Sequence, residues 1–130
     1  DVVATDHAPH TPEDKAGGAS GFVALETTLG LVLTHFVHTG DIEPMRAAEL
    51  MSTAPARIFG LEAGSLLTGQ PADLVLIDPE HEWIVNPEEF RGKSSNTPFA
   101  GRRLKGKAVA TFLGGQQTFG ADGFSERVER

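Results

Sequence analysis

One short stretch of the sequence combines the residue types that acid–base and metal chemistry require. Asp6, His7 and His10 lie within five positions, directly after the apolar run Val2–Ala4. α/β barrels place catalytic groups in this way, with a buried strand that ends in a carboxylate and continues into a polar loop. An aspartate at that point can bind a metal ion through one oxygen and move a proton with the other. A histidine four residues further on can hydrogen-bond an anionic substrate.

The same pattern has a simpler explanation. An Asx-type turn after an edge strand would use Asp6 for backbone hydrogen bonds and would leave His7 and His10 facing solvent. The spacing alone favours this explanation. A second pair, His35 and His38, could imitate two metal ligands on a helix, although a helix-end position for one and packing near the core for the other is the simpler interpretation.

The spacing of apolar residues predicts the elements of the first half of the chain. Residues 1–5 predict a short buried strand, and residues 11–21 predict a long connection. Apolar side chains at intervals of three and four predict a helix over residues 22–39. Two shorter helices should follow, one over residues 42–52 and one that begins near residue 53.

Caps and turn residues refine these boundaries. Gly40 is a plausible C-cap of the first helix, and Asp41 a plausible N-cap of the second. Pro55 suits the first turn of the third helix, which Gly60 should end. Beyond a junction near residues 60–66 the pattern predicts strands, which are residues 72–78, 82–85, 107–113 and 116–119, the last two as a hairpin.

Composition excludes several classes of protein. The 18 acidic and 11 basic residues give a net charge of −7, whereas nucleic-acid binding requires a basic excess. The absence of cysteine excludes disulfides and thiolate metal sites. No apolar run approaches the roughly 18 residues of a membrane span, and no secretory signal is present. We therefore expect a cytoplasmic protein that binds neither nucleic acid nor membranes.

The length of the chain predicts that it is part of a longer protein. The chain has 130 residues, whereas a complete (β/α)₈ barrel needs roughly 200 to 250. It also opens at Asp1, without methionine, and continues directly into apolar residues. Because native termini are usually frayed and polar, this opening predicts a cut inside a longer protein, with a processed terminus as the alternative.

Five segments resemble, in their order along the chain, the dihydroorotases (class I type) of the amidohydrolase superfamily. In the third of them alanine replaces the asparagine of the usual Asn-Pro-Ala-Arg element. Together the segments are distributed over residues 6–99, which is most of the chain. They are residues 6–10 (DHAPH), 21–27 (GFVALET), 54–61 (APARIFGL), 69–78 (GQPADLVLID) and 93–99 (KSSNTPF).

The resemblance implies a fold of α/β plus β class. Residues 1–62 would form the C-terminal end of a metal-dependent hydrolase TIM barrel, with its last strand, catalytic loop and helices. Residues 63–119 would form part of the small composite β-sandwich domain of amidohydrolases. Residues 120–130 would be a polar tail.

The resemblance also implies an activity and its residues. Dihydroorotases reversibly hydrolyse dihydroorotate to N-carbamoyl-L-aspartate in de novo pyrimidine biosynthesis, with one or two zinc ions. Asp6 would be both a metal ligand and the catalytic proton shuttle. His10 would bind the carboxylate of the substrate, and Ser20 and Gly21 would offer backbone groups to its ring.

Most zinc ligands of the family have no counterpart in this sequence. The family uses a His-x-His pair, a lysine and two more histidines, and no His-x-His occurs here. Because zinc sites have three or four protein ligands, we expect this chain alone to hold no zinc and to be inactive. Its partners would be the missing N-terminal part of the same protein, and further copies or aspartate transcarbamoylase.

Three alternatives differ in class. A non-catalytic dihydroorotase-like partner of aspartate transcarbamoylase is disfavoured because Asp6 and His10 are both present. Another cyclic amidase, a hydantoinase or allantoinase, is disfavoured by the segments at residues 6–10 and 93–99. A free-standing β-rich binding module remains the simplest alternative, because a fold alone does not specify a function.

Overall fold

A computed structural model describes residues 1–120, with helices in the first half and an antiparallel sheet in the second. The predicted polar tail lies outside the described residues, except for Gly120, which ends the last strand. None of the helices in this range is long and apolar enough to cross a membrane. The helices are α1 (Pro12–Ala16), α2 (Leu25–Val32, continued by a π-helical segment, Leu33–Val37), α3 (Pro44–Ala48, continued by a π-helical segment, Glu49–Thr53) and α4 (Ala54–Phe59).

The predicted first strand is not formed within the described chain. Residues 1–6 have no regular structure, and Val2 is 38% exposed. A barrel strand depends on neighbouring parallel strands for its hydrogen bonds. Here the backbone N–H of Val3 donates instead to the carbonyl oxygen of Leu50, at 3.0 Å.

The connection over residues 11–21 contains a helix that the sequence analysis missed. Thr11 and Asp14 form a capping box, in which each side chain accepts a hydrogen bond from the other's backbone N–H. Pro12 follows the cap, where its missing N–H costs nothing. Thr-Pro-Glu-Asp is a typical helix start, so this element was predictable.

The longer helices match their predictions except at the ends. α2 begins at Leu25, three residues later than predicted. Asp41 is not the N-cap of α3, because Glu43 precedes the first residue, Pro44. Gly60 ends α4 in the left-handed conformation, with φ +65°, as predicted.

Three strands form one antiparallel sheet in the order β1-β2-β3, and the hairpin prediction is confirmed. The two strands predicted over residues 72–85 are one strand, whose register is irregular between Asp78 and Glu82. The strands are β1 (Leu74–Ile84), β2 (Arg103–Leu113) and β3 (Gln116–Gly120).

The α2 helix packs on β2 and thereby joins the two halves. Leu104 of β2 is fully buried, and a Cβ at Gly30 of α2 would lie 3.1 Å from its Cδ1. Gly106 of β2, with φ +97°, lies directly against the side chain of Leu33. Glycine at both positions therefore permits close approach of the helix to the strand, and this contact fixes α2 relative to the sheet.

Candidate active site

Asp6 adopts an unusual backbone conformation. It has φ +48° and is the one non-glycine residue among residues 1–120 with a positive φ. Asp6 is exposed and lies at the start of the polar loop. Left-handed conformations are uncommon outside glycine, although aspartate and asparagine adopt them more often than other residues, and they concentrate at functional sites. The conformation is therefore consistent with the role predicted for Asp6.

His7 binds the start of α2. Its Nδ1 accepts hydrogen bonds from the backbone N–H groups of Ala24, at 3.0 Å, and Leu25, at 3.4 Å. The residue also forms an isolated parallel bridge with Phe22. The alternative in which both histidines face solvent is therefore wrong for His7, which caps a helix that lacks a side-chain cap of its own.

His10 and Gly21 lie together. Gly21 has φ +122°, and a Cβ there would lie 2.6 Å from the Cβ of Ala8 and 3.2 Å from Nε2 of His10. Only glycine fits such an approach. The structure thus brings together two of the three residues predicted to bind substrate.

The carbonyl oxygen of Gly21 is already used by the protein. It accepts hydrogen bonds from Nδ2 of Asn96, at 2.8 Å, and from Nζ of Lys15, at 3.1 Å. Because a carbonyl has two lone pairs, a ligand at Gly21 would have to use the N–H. Ser20, the third predicted binding residue, is exposed beside it.

Residues 91–96 hydrogen-bond to both of these loops. Ser94 donates its hydroxyl hydrogen to the carbonyl oxygen of His10, at 2.7 Å. Asn96 contacts Gly21 as described, and its own carbonyl oxygen accepts the N–H of Val23, at 2.8 Å. The sequence analysis singled out the overlapping residues 93–99 only for their resemblance and assigned them no role.

Glu26 supports the beginning of that segment. Its two carboxylate oxygens accept the backbone N–H groups of Arg91, at 3.0 Å, and Gly92, at 3.1 Å. Hydrogen bonds to a charged acceptor are stronger than those to a neutral one. Sequence spacing gives no sign of this contact, because the partners are more than sixty residues apart.

Metal ligands are few within the described residues. Asp6 offers the kind of oxygen that zinc accepts, so this residue fits a zinc centre as one ligand. No group of three or more His, Asp or Glu side chains in residues 1–120 could hold a metal ion. His38, considered above as half of a helical pair, instead hydrogen-bonds through Nε2 to the carbonyl oxygen of Pro79, at 2.8 Å.

Acidification is expected to fray α1. Hydrogen bonds from the backbone and side chain of Thr11 hold the pKa of the Asp14 carboxyl below its ordinary value of 3.8. A carboxyl whose pKa is lower in the folded chain contributes stability above the ordinary pKa, and that contribution is lost as pH falls through the lowered pKa. An NMR titration should show the chemical shift of the Asp14 amide changing as pH falls through this lowered pKa. Asp14→Asn should remove the pH dependence and Glu13→Gln should retain it, and equal behaviour of the two variants would contradict the assignment.

The chain as a whole is similar in sequence to known enzymes. A model of the amidohydrolase family matches residues 1–118. The dihydroorotase of Chlorobaculum tepidum is 47% identical over 116 residues, which are 86% of this chain and 26% of that protein. The dihydroorotase of Bacillus caldolyticus is 47% identical over 119 residues, 88% of this chain and 28% of that protein. The chain thus spans little more than a quarter of the length of these relatives.

Solved structures share the fold. The L-hydantoinase (dihydropyrimidinase) of Arthrobacter aurescens has a TM-score of 0.85 and 32% identity, over 92% of this chain and 29% of that one. The D-hydantoinase (dihydropyrimidinase) of a Thermus species has a TM-score of 0.87 and 27% identity, over 95% and 29%. The predicted resemblance is confirmed by these matches together, while the division into a barrel end and a β sandwich stays a prediction.

Proposed function

The chain belongs to the amidohydrolase family, and on this premise we propose that it carries part of the active site of a dihydroorotase. The observation that supports this most is the 47% identity to dihydroorotases over 86–88% of the chain. The reaction would be the reversible hydrolysis of dihydroorotate to N-carbamoyl-L-aspartate in pyrimidine synthesis. The site would comprise Asp6, His10, Ser20 and Gly21, on a loop and a connection that hydrogen bonds hold together.

Asp6 would move the proton in this reaction. As water attacks the ring carbonyl, the carboxylate of Asp6 takes the proton that the water loses. It then returns this proton to the ring nitrogen while the C–N bond breaks. An exposed carboxylate at the start of the loop would be accessible to both atoms in turn, and the positive φ of Asp6 supports a functional position for it.

His10 and the N–H of Gly21 would bind and orient the substrate. The imidazole of His10 would donate to the carboxylate that distinguishes dihydroorotate from simpler dihydropyrimidines. The N–H of Gly21, beside it, would bind a ring oxygen. Two fixed donors of this kind would hold the ring in the orientation that proton transfer by Asp6 requires.

Zinc would be the metal, with Asp6 as one of its ligands. When bound, it would lower the pKa of the water and polarise the ring carbonyl. Because zinc needs three or four protein ligands, the others would come from elsewhere in the protein that contains this chain. We accordingly propose that residues 1–130 alone neither hold zinc nor turn over substrate. Further copies or aspartate transcarbamoylase remain proposed partners, and the cytoplasm the proposed location.

A cyclic amidase of the hydantoinase type is the second candidate, because the solved structures with this fold include hydantoinases. Their identity of 32% and 27% is lower than that of the dihydroorotases. The two functions differ in the substrate carboxylate, which hydantoin lacks. His10 is the proposed hydrogen-bond donor to this carboxylate.

A comparison of substrates tests the proposed function. For the zinc-loaded protein that contains this chain, kcat/KM should be about 10- to 100-fold higher for dihydroorotate than for 5,6-dihydrouracil. This ratio corresponds to the free energy of one hydrogen bond to a charged group. His10→Ala should abolish most of that preference by raising KM for dihydroorotate. Preferred hydrolysis of hydantoin would support the second candidate instead, and hydrolysis of no cyclic amide would contradict both.

A further inference from the structure

The loops of the proposed site accept hydrogen bonds from residues that lie far along the chain. Ser94 donates to the carbonyl oxygen of His10, at 2.7 Å, and Asn96 donates to the carbonyl oxygen of Gly21, at 2.8 Å. These partners are separated by 84 and 75 residues in sequence. Both bonds end on the backbone of residues that we assign to substrate binding, so they fix where those residues lie.

The supporting segment is itself anchored. Glu26 accepts the N–H groups of Arg91 and Gly92 at its start, and the carbonyl oxygen of Asn96 accepts the N–H of Val23 at its end. Residues 91–96 are therefore tied at both ends to α2 and to the chain that leads into it. A segment anchored at both ends can hold the loops that hydrogen-bond to it in fixed positions.

We propose that residues 91–96 act as a positioning clamp, in which Ser94 holds His10 and Asn96 holds Gly21 for substrate binding. The inference rests on the proposed function and adds residues to it. Neither Ser94 nor Asn96 needs to touch the substrate. Their side chains are occupied by backbone carbonyls of the site, so their effect on catalysis passes through His10 and Gly21.

The clamp has a specific consequence for binding. A loosened His10 keeps its imidazole but loses its fixed distance from the substrate carboxylate, so binding weakens while proton transfer by Asp6 continues. Loss of one neutral hydrogen bond should raise KM for dihydroorotate about three- to tenfold and leave kcat within about twofold.

The test is kinetic and uses the zinc-loaded protein that contains this chain. Ser94→Ala should show that rise in KM, and Ser94→Thr, which keeps the hydroxyl, should restore the original value. Ser95→Ala is the matched control, because Ser95 is the exposed neighbour. In a His10→Ala background, Ser94→Ala should change KM by less than about twofold, since residues that act as a unit are not additive. An unchanged KM in Ser94→Ala, or additive effects in the cycle, would overturn the proposal.

A second measurement does not depend on activity. The N–H of Ala8, which donates to the carbonyl oxygen of Phe22 at 3.0 Å, reports whether the loop before His10 opens. Ser94→Ala should speed its hydrogen exchange about tenfold without altering exchange in β2, whereas Ser95→Ala should not. If dihydroorotate is not hydrolysed but exchange accelerates, the clamp stands and the proposed function fails. If dihydroorotate is hydrolysed and exchange is unchanged, the function stands and the clamp fails.

Discussion

Replacing Asp6 by asparagine should reduce kcat for dihydroorotate hydrolysis about 100- to 10,000-fold, the contribution typical of a positioned general acid–base. Asparagine has nearly the size and shape of aspartate, and it tolerates a positive φ as well as aspartate does. The backbone strain at Asp6 is therefore retained, while the group that accepts a proton is removed. Steady-state kinetics on the zinc-loaded protein that contains this chain measures the loss.

The control for Asp6 is a second aspartate that is not among the proposed site residues. Asp41 accepts a hydrogen bond from the hydroxyl of Thr39, at 2.9 Å, which the amide oxygen of asparagine can also accept. Asp41→Asn should leave kcat and KM unchanged. A wild-type kcat in Asp6→Asn, measured with zinc content confirmed, would show that another group carries the proton.

Gly21→Ala should lower kcat/KM about 100-fold or more and should also destabilise the protein. The new methyl group would lie 2.6 Å from the Cβ of Ala8, 2.9 Å from its carbonyl oxygen and 3.2 Å from Nε2 of His10. Real Cβ atoms do not approach so closely, so the loop that carries His10 must move. A displacement on the order of 1 Å at a positioned group can cost about 100-fold in rate.

The matched control separates strain from collision. Gly18 has φ +90°, also positive, but a Cβ there would meet no atom within 4 Å. Gly18→Ala should therefore lower stability by about 1–2 kcal/mol through backbone strain alone, and should leave kcat/KM within about threefold. Both variants should also be compared by denaturant unfolding. Equal losses of kcat/KM in the two variants would mean that the collision of the new methyl group with the loop does not cause the loss in Gly21→Ala.

The sequence predicts those parts of the fold that depend on neighbouring residues. Helix α4 is predicted from its ends, because Pro55 and Gly60 act locally. The hairpin of β2 and β3 follows from the paired glycines between them. The strand predicted over residues 1–5 is not formed, because a strand depends on partners that a local pattern does not contain.

The candidate site divides in the same way. Asp6 and His10 are predicted as site residues, because their types stand out within five positions and the resemblance of five segments gives them a role that spacing alone does not. The contacts of Glu26, Ser94 and Asn96 are not, because each joins residues more than sixty positions apart. Such contacts depend on how distant segments of the chain pack together, which no local pattern specifies.

The helix-capping role of His7 lies between these cases. Its position next to Asp6 attracts a functional interpretation, and its type allows metal binding. The structure instead shows its Nδ1 bonded to the first N–H groups of α2. A histidine eighteen residues before the first residue of a helix gives no pattern that sequence analysis could detect.

The most direct test of the account is dihydroorotate hydrolysis by the protein that contains this chain, measured as purified, after removal of metal by a chelator, and after zinc is returned. We expect turnover that disappears with the metal and recovers with zinc in the wild type, with Asp6→Asn at least about 100-fold slower than the wild type when zinc is present. Full turnover by the metal-free protein, or no turnover by the zinc-loaded protein, would contradict the assignment of this chain to a zinc-dependent dihydroorotase site.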